Sequence, residues 1–460
     1  ALGRVIEELA RFTVATKYED LPGSVVHETK NLLMDSVGDG LAGITTDPGK
    51  MAISLAKVLG GPPESSIIGT GDKVSCTNAV LANGQLINAL DFDTVMPGGH
   101  APAYIIPPVL AMAERGGASG KDVIAAAALG FEVAARISRA TPPGMFFNAE
   151  KRFQLAPREG YAKTNIGAAA GAGRLLNLNQ KQMMDALANA GHMSQVLTWS
   201  RGNYCPSRNM MKYGVPGWQN TGAIMAALLA QMGLEGDTEL FDDAEHGFGE
   251  FCGYSSFSPE KILPGLGQTW DFIKVPYKKY ASCTMLHAPV EVFYGIMKKN
   301  NLRVEDIESV NVLTNPTVES ILFTSRELNN IADIQFGMHY VIALAAYGYK
   351  TGIEWQDWDI VTEPKIIEFS KKVSFKGHPE YGSKGITTVE VKAKGQTYKG
   401  EITAGAAGGL SKLTDQELES KYRHNASRAL TRNKIEGSVK AFLGLENIAH
   451  ISELMSQITL

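Results

Sequence analysis

The chain has 460 residues, 44 % of them apolar and 20 % charged. At roughly 100–200 residues per domain it has room for two or more packed units, and it can bury too much apolar surface to be disordered. Lys plus Arg number 44 against 48 Asp plus Glu, a net charge of -4, which excludes a broad basic face for nucleic acid and a polybasic membrane anchor.

In chain order, the opening Ala1–Leu9 stretch mixes both charge signs at helical spacing, unlike a secretory leader. Val5, Ile6, Leu9 and Phe12 form one stripe of a predicted helix. A second helix is expected from Ser119 or Asp122, both good N-cap types, through Phe131. A third covers Thr164–Leu176, and a fourth runs from about Gln219 to Met232. Glycines in the third each cost about 1 kcal/mol relative to Ala, tolerable if they let neighbouring helices approach closely. Apolar on most sides, these segments predict a central helical bundle. The longest apolar runs, Val123–Phe131 and Ala223–Ala230, fall short of the ~20 residues that span a bilayer, so no membrane association is expected.

After about residue 275 the texture changes. Ser309–Leu313 alternates polar with apolar, as a half-buried strand does. Ile386–Lys394, a Gly395-Gln396 turn and Thr397–Thr403 predict a β-hairpin. Helices are expected around Ala288–Lys298 and Asp333–Tyr347, and Thr414-Asp-Gln-Glu417 fits a capping box that opens a closing helix. The expected fold is mainly α: a large helical domain of residues 1–275 plus 412–460, with a smaller α+β lid, residues 276–411, inserted in it.

Several familiar motifs fail. Gly116–Asp122 is spaced wrongly for a phosphate loop and reads as helix capping. Gly69-Thr-Gly71 lacks the third glycine of a dinucleotide loop. The four cysteines, Cys76, Cys205, Cys252 and Cys283, form no C-x-x-C pair, and their scarcity suits a reducing, cytoplasmic setting.

Three segments carry candidate chemistry. Asp91-Phe-Asp93, a Pro-Gly-Gly bend and His100 put acid and base candidates on one loop after a helix; the same aspartates could instead cap a turn. Lys278, Tyr280, Cys283 and His287 lie at the texture change, where an interdomain cleft is expected; His287 could equally be a satisfied core histidine. Lys212 precedes a Gly-Val-Pro-Gly217 bend and would bind a carboxylate as a point charge if it faces a cleft, or lie on the surface as most lysines do.

Taken in order, these segments resemble the MmgE/PrpD family, which includes 2-methylcitrate dehydratase, cis-aconitate decarboxylase and iminodisuccinate epimerase. The resemblance spans nearly the whole chain and rests on Ala89-Leu-Asp91-Phe-Asp93 with His100, Lys212 with Gly217, Lys278-x-Tyr280-x-x-Cys283-x-x-x-His287, Phe336-Gly-Met-His-Tyr340 and Lys421-Tyr-Arg423. It implies a homodimer with a cleft between helical domain and lid, working on a small di- or tricarboxylate without metal or organic cofactor. By motif match it implies catalytic roles for His100, His287, Asp91 and Tyr340, and substrate-binding roles for Lys212 and Lys278; Tyr280 and Arg158 join these as binding candidates. The chain departs from the pattern at Ala156-Pro-Arg158, where Arg158 stands in place of an expected histidine, and Arg152, Arg201 and Arg208 add positive charge nearby. An arginine can grip a carboxylate but cannot shuttle a proton near neutral pH.

The reactions implied share one difficulty: negative charge develops on a carbon beside a carboxylate, and fixed cations in a shielded cleft can stabilise it. Dehydration of 2-methylcitrate type is the first expectation, with Asp91 orienting His100. Epimerisation of an iminodisuccinate-like diacid and decarboxylation of cis-aconitate type are the alternatives. A carboxylate-binding protein without catalysis is the alternative of another class.

Overall fold

The computed structural model describes residues 4–143, 145–147, 153–155, 161–194, 210–212, 214–403 and 412–460. Arg152, Arg158, Arg201, Arg208 and Cys205 lie outside the described residues. The first part is helical: α1 (Arg4–Ala15), α2 (Gly23–Gly43), α3 (Asp47–Leu59), α4 (Cys76–Asn88), α5 (Ala101–Gly116), α6 (Gly120–Ala140), α7 (Ala162–Leu175), α8 (Gln180–His192) and α9 (Pro216–Gln231). The expected stripe of α1 is buried at Val5, Ile6 and Leu9. Ser119 caps α6 and forms a capping box with Asp122. The glycines of α7 act as expected where it crosses α6: a Cβ on Gly167 would lie 2.3 Å from the Gly130 carbonyl oxygen, so the helices meet backbone to backbone.

Beyond residue 280 a second apolar core forms, built from residues between Tyr280 and Ala393. It packs α10 (His287–Lys299) and α11 (Met338–Ala346) with a four-stranded sheet. The strands are β1 (Ile307–Thr314), β2 (Val373–Gly377), β3 (Ile386–Ala393) and β4 (Gln396–Thr403), in the order β2-β1-β3-β4. β1 and β2 run parallel, and the other pairs are antiparallel. The hairpin forms as expected, but its turn is Lys394-Gly395, one residue earlier than predicted. Both residues have positive φ, 53° and 71°, the geometry that matches strand twist across a two-residue loop. The predicted Asp333–Tyr347 helix is interrupted at Gly337, which separates Ile331–Phe336 from α11.

The chain then returns to the first core. The closing helices α12 (Asp415–Ala426), α13 (Arg432–Leu443) and α14 (Ser452–Gln457) bury Leu418, Tyr422, Phe442 and Leu454 among residues of the first half. Tyr422 lies against Gly38 of α2, where a Cβ would come 2.9 Å from its ring. A small cluster of Ala42, Leu90, Phe92 and Ala281, with Ile331 and Ile353 packed on it, joins the two cores. Among the described residues no helix is long and apolar enough to cross a membrane.

Candidate active site

The site is built on that seam. α4 ends at Asn88, and three residues later Asp91 has φ +52°. A left-handed backbone is uncommon for a residue with a side chain, although aspartate tolerates it better than most. The turn closes through a Met96–Gly99 bridge, with Gly98 and Gly99 at φ +103° and +93°. A side chain at 99 would run into the Tyr161 ring, so glycine lets the chain pass beneath that tyrosine and deliver His100 to the start of α5. Tyr161 then meets His100 edge to face, with ring centroids 5.9 Å apart.

Asp91 is fully buried between two cations. Its Oδ1 accepts from Lys212 Nζ at 3.0 Å and its Oδ2 from Lys278 Nζ at 3.0 Å. Lys278 also donates to the Asp91 carbonyl at 2.6 Å, and Lys212 to the Asn88 carbonyl at 3.2 Å. Lys212 sits at φ +50°, so both ends of one ion pair occupy a backbone region that lysine in particular adopts at some cost. Burial alone would raise the Asp91 pKa. Lys212, Lys278 and His100 outweigh it and hold the carboxyl well below the usual carboxylate range.

His100 faces two carboxylates. Its Nδ1 donates to Asp93 Oδ2 at 3.0 Å, while its Nε2 stands 3.6 Å from Asp91 Oδ1. Asn88 Nδ2 donates to the other Asp93 oxygen at 3.0 Å. The residue that orients His100 at hydrogen-bond distance is therefore Asp93, whereas Asp91, expected in that role, is turned by its left-handed backbone toward the lysines.

His287 opens α10 and is 2 % exposed. Its Nε2 lies 3.3 Å from the Ser282 carbonyl oxygen. A carbonyl only accepts, so Nε2 carries the hydrogen and Nδ1 the lone pair. Burial, reinforced by Lys278, brings its pKa down to about 3, against weaker pulls from Ser282 and Asp91. The ring is thus neutral at pH 7. The Tyr280 ring meets it edge-on at 5.2 Å and stacks on Trp355 at 5.3 Å. The Tyr280 hydroxyl donates to Glu291, so Tyr280 packs against the His287 ring while its oxygen is engaged elsewhere. Cys283, close enough to feel Asp91, Lys278 and Lys212, has its thiol pushed up to about 12 chiefly by burial. Tyr340 lies in the second core and donates its hydroxyl hydrogen to the Arg326 carbonyl at 2.7 Å.

Beneath Phe92, Lys421 of α12 reaches into the seam. It donates to the Phe92 carbonyl at 3.0 Å, sits 3.9 Å from that ring's centroid, and pairs with Asp35 at 2.8 Å and Asp39 at 3.4 Å on α2. Burial raises both aspartate pKa values against the pull of Lys421. Sequence reasoning singled out the Lys421 segment but missed its partners. A signal was present: two aspartates four apart inside the apolar run of α2.

Neutral burial of His287 has a pH signature. An ordinary imidazole titrates near 6.5, so between about pH 3 and pH 6.5 the unfolded chain binds more protons at this residue than the folded one. Its contribution to stability is present above pH 6.5 and is lost as pH falls toward 3. Urea unfolding of wild type and His287→Gln should show a stability difference that shifts in favour of wild type with rising pH across this window, by at most about 1.4 kcal/mol per pH unit. A pH-independent difference would mean that the ring is not held neutral.

Among the described residues no group of three or more His, Cys, Asp or Glu side chains is arranged to hold a metal ion. Comparison with known proteins finds two matching family models. The MmgE/PrpD N-terminal domain matches residues 7–260 and the MmgE/PrpD C-terminal domain residues 280–444. Similar proteins include the cis-aconitate decarboxylase of Homo sapiens, 26 % identical over 98 % of this chain and 94 % of that protein. The cis-aconitate decarboxylase of Aspergillus terreus is 23 % identical over 98 % of this chain and 95 % of its own length. A probable 2-methylcitrate dehydratase of Saccharomyces cerevisiae is 23 % identical over 80 % of this chain and 73 % of its own.

Proposed function

The chain belongs to the MmgE/PrpD family, and from that membership we propose that it is a lyase that removes carbon dioxide or water from a small di- or tricarboxylate. The observation that carries this proposal is the buried junction of Lys212, Lys278 and Asp91 beside His100 and His287. Two ammonium groups held in a shielded seam are suited to stabilise charge on a carbon next to a carboxylate. Lys278 directs two N–H donors at Asp91; an ammonium has three, and the third is the proposed contact for a substrate carboxylate. Arg158, outside the described residues, is the proposed second grip.

In decarboxylation, the bond to the departing carboxylate breaks, its electron pair stays on carbon and delocalises into a neighbouring carboxylate, and an acid delivers a proton to carbon. In dehydration, a base takes the α proton, the C–O bond breaks with its pair on oxygen, and the acid protonates that oxygen to release water. The neutral Nδ1 of His287 is the base. His100, flanked by Asp91 and Asp93, is the acid through Nε2, with Asp93 fixing its ring. Tyr340, whose hydrogen is directed at Arg326, has a supporting place.

Decarboxylation of cis-aconitate type is placed first because those relatives match over 98 % of the chain against 80 % for the dehydratase; 2-methylcitrate-type dehydration is the second reading. Residues 276–411 are the lid. A second copy of the chain is proposed to cover the exposed stripe Met51, Leu55, Val58 and Leu59 of α3. Chelator-treated protein should still convert cis-aconitate with release of carbon dioxide, because lysines supply the positive charge. A new ultraviolet-absorbing alkene from 2-methylcitrate would select dehydration. Absence of turnover across citrate-like and succinate-like acids would refute the lyase assignment.

A further inference from the structure

We propose that Gln335 and Gln356 form a clasp that fixes the spacing between the Asp91 loop and the segment that carries His287, and that both are positioning residues for the reaction proposed above, on which their catalytic effect rests. The two amides are buried, with Gln335 wholly inaccessible and Gln356 5 % exposed. Gln356 has two N–H donors, and each goes to a different side of the seam. One meets the Leu90 carbonyl, directly before Asp91. The other meets the Ala281 carbonyl at 2.9 Å, directly before Ser282, whose own carbonyl takes the Nε2–H of His287. Gln335 repeats the pattern: its Nε2 donates to the Ala89 carbonyl at 2.7 Å and to Gln356 Oε1 at 2.9 Å. The Gln335 backbone carbonyl in turn accepts from the Cys283 N–H at 2.9 Å.

Three features separate this from ordinary core satisfaction. Ala89 and Leu90 follow the last turn of α4, where carbonyls run out of intrahelical partners and usually turn to water. Here they are taken by side chains 246 and 266 residues distant in sequence. The four acceptors are backbone carbonyls and the partner glutamine's amide oxygen, so a flipped amide would set oxygen against oxygen, and the orientation is fixed. Finally, the three bridged carbonyls, Ala89, Leu90 and Ala281, lie one or two positions before Asp91 or directly before Ser282, so a shift at any of them moves Asp91 or the His287 anchor. A displacement of about 1 Å in such a constellation costs on the order of 10²-fold in rate.

The test is Gln356→Met, which keeps the side-chain length and removes both donors. Hydrogen–deuterium exchange should accelerate at least about tenfold in the backbone amides of both 89–93 and 281–287, while the remaining helices of the first core keep wild-type exchange. Unchanged exchange in either segment overturns the clasp. This arm needs no substrate, so it judges the clasp even if the acid panel shows no turnover, a result that would remove the lyase assignment instead. With an active substrate, Gln356→Met should lower kcat by on the order of 10²-fold with KM within about threefold. In a His287→Ala background the same change should cost less than about threefold, because the group being positioned is gone. An equal loss in both backgrounds would make the glutamine structural only and overturn the positioning role. Should Gln356→Met fail to fold, Gln335→Met carries the same readouts.

Discussion

Lys278→Met is expected to lower kcat/KM by about 10²–10³-fold, the usual consequence of deleting one preorganised charge-stabilising donor. Lys278 is 1 % exposed and contacts both the carbonyl and the carboxylate of Asp91, so no water can take over its place without rearrangement. The same substitution carries a second signature. Lys278 is, after burial, the largest influence that holds down the His287 pKa. Removing it should move the His287 titration upward from about 3 toward the ordinary imidazole range, followed by NMR of the histidine ring. The two effects belong together under the proposed mechanism, in which the cation that steadies the reacting carbon also keeps the His287 ring unprotonated. Wild-type turnover in Lys278→Met would reduce this lysine to a counter-ion for Asp91.

Lys421→Met should destabilise the protein by about 3–5 kcal/mol, because removing one partner of a buried charge cluster leaves the others uncompensated. Lys421 is the sole cation paired with Asp35 and Asp39 among the described residues. The deficit should be larger at pH 8 than at pH 5: the two carboxyls, already raised by burial, can take protons more cheaply as the pH approaches their ordinary range. Asp39→Asn in the same chain should restore part of the loss, since the amide oxygen still accepts from Asn425 as Asp39 does at 2.9 Å. Denaturant unfolding at the two pH values checks this. A loss below about 1 kcal/mol, alike at both, would show that the cluster is solvated and does not anchor the Phe92 carbonyl.

The sequence carried the outline of the fold where local chemistry decides structure. The capping boxes at Ser119 with Asp122 and Thr414 with Glu417 start helices where expected, because each cap satisfies its own backbone donors without help from elsewhere. The hairpin was legible from alternation, but its turn was not. Only the requirement for two consecutive positive φ angles places it at Lys394-Gly395. Periodicity ran straight through Gly337, where a close approach to Asp333 and Tyr340 leaves no space for a side chain.

For the site, residue types were legible and partnerships were not. Asp91, Lys212, Lys278, His100 and His287 converge on the seam, yet the choice of Asp93 over Asp91 as the partner of His100 Nδ1 depends on a left-handed residue that no spacing rule announces. The lysines, expected to wait for substrate, first neutralise a buried aspartate. Gln335 and Gln356 gave no signal at all, since a buried glutamine becomes meaningful only through carbonyls brought to it from far along the chain.

Incorporation of deuterium from solvent, followed by proton NMR in heavy water, tests the central claim most directly. With cis-aconitate, proton delivery by His100 requires label at the carbon protonated after carbon dioxide leaves; with 2-methylcitrate, which loses hydrogen from its α carbon on dehydration, reversible proton removal by His287 requires label at that carbon in the recovered substrate. The wild-type chain should introduce the label, and the rate should fall at least ~10²-fold in His100→Ala for the first acid and in His287→Ala for the second. Label that enters as fast in the matching variant, or decarboxylation with no label at carbon, would contradict proton transfer by this pair.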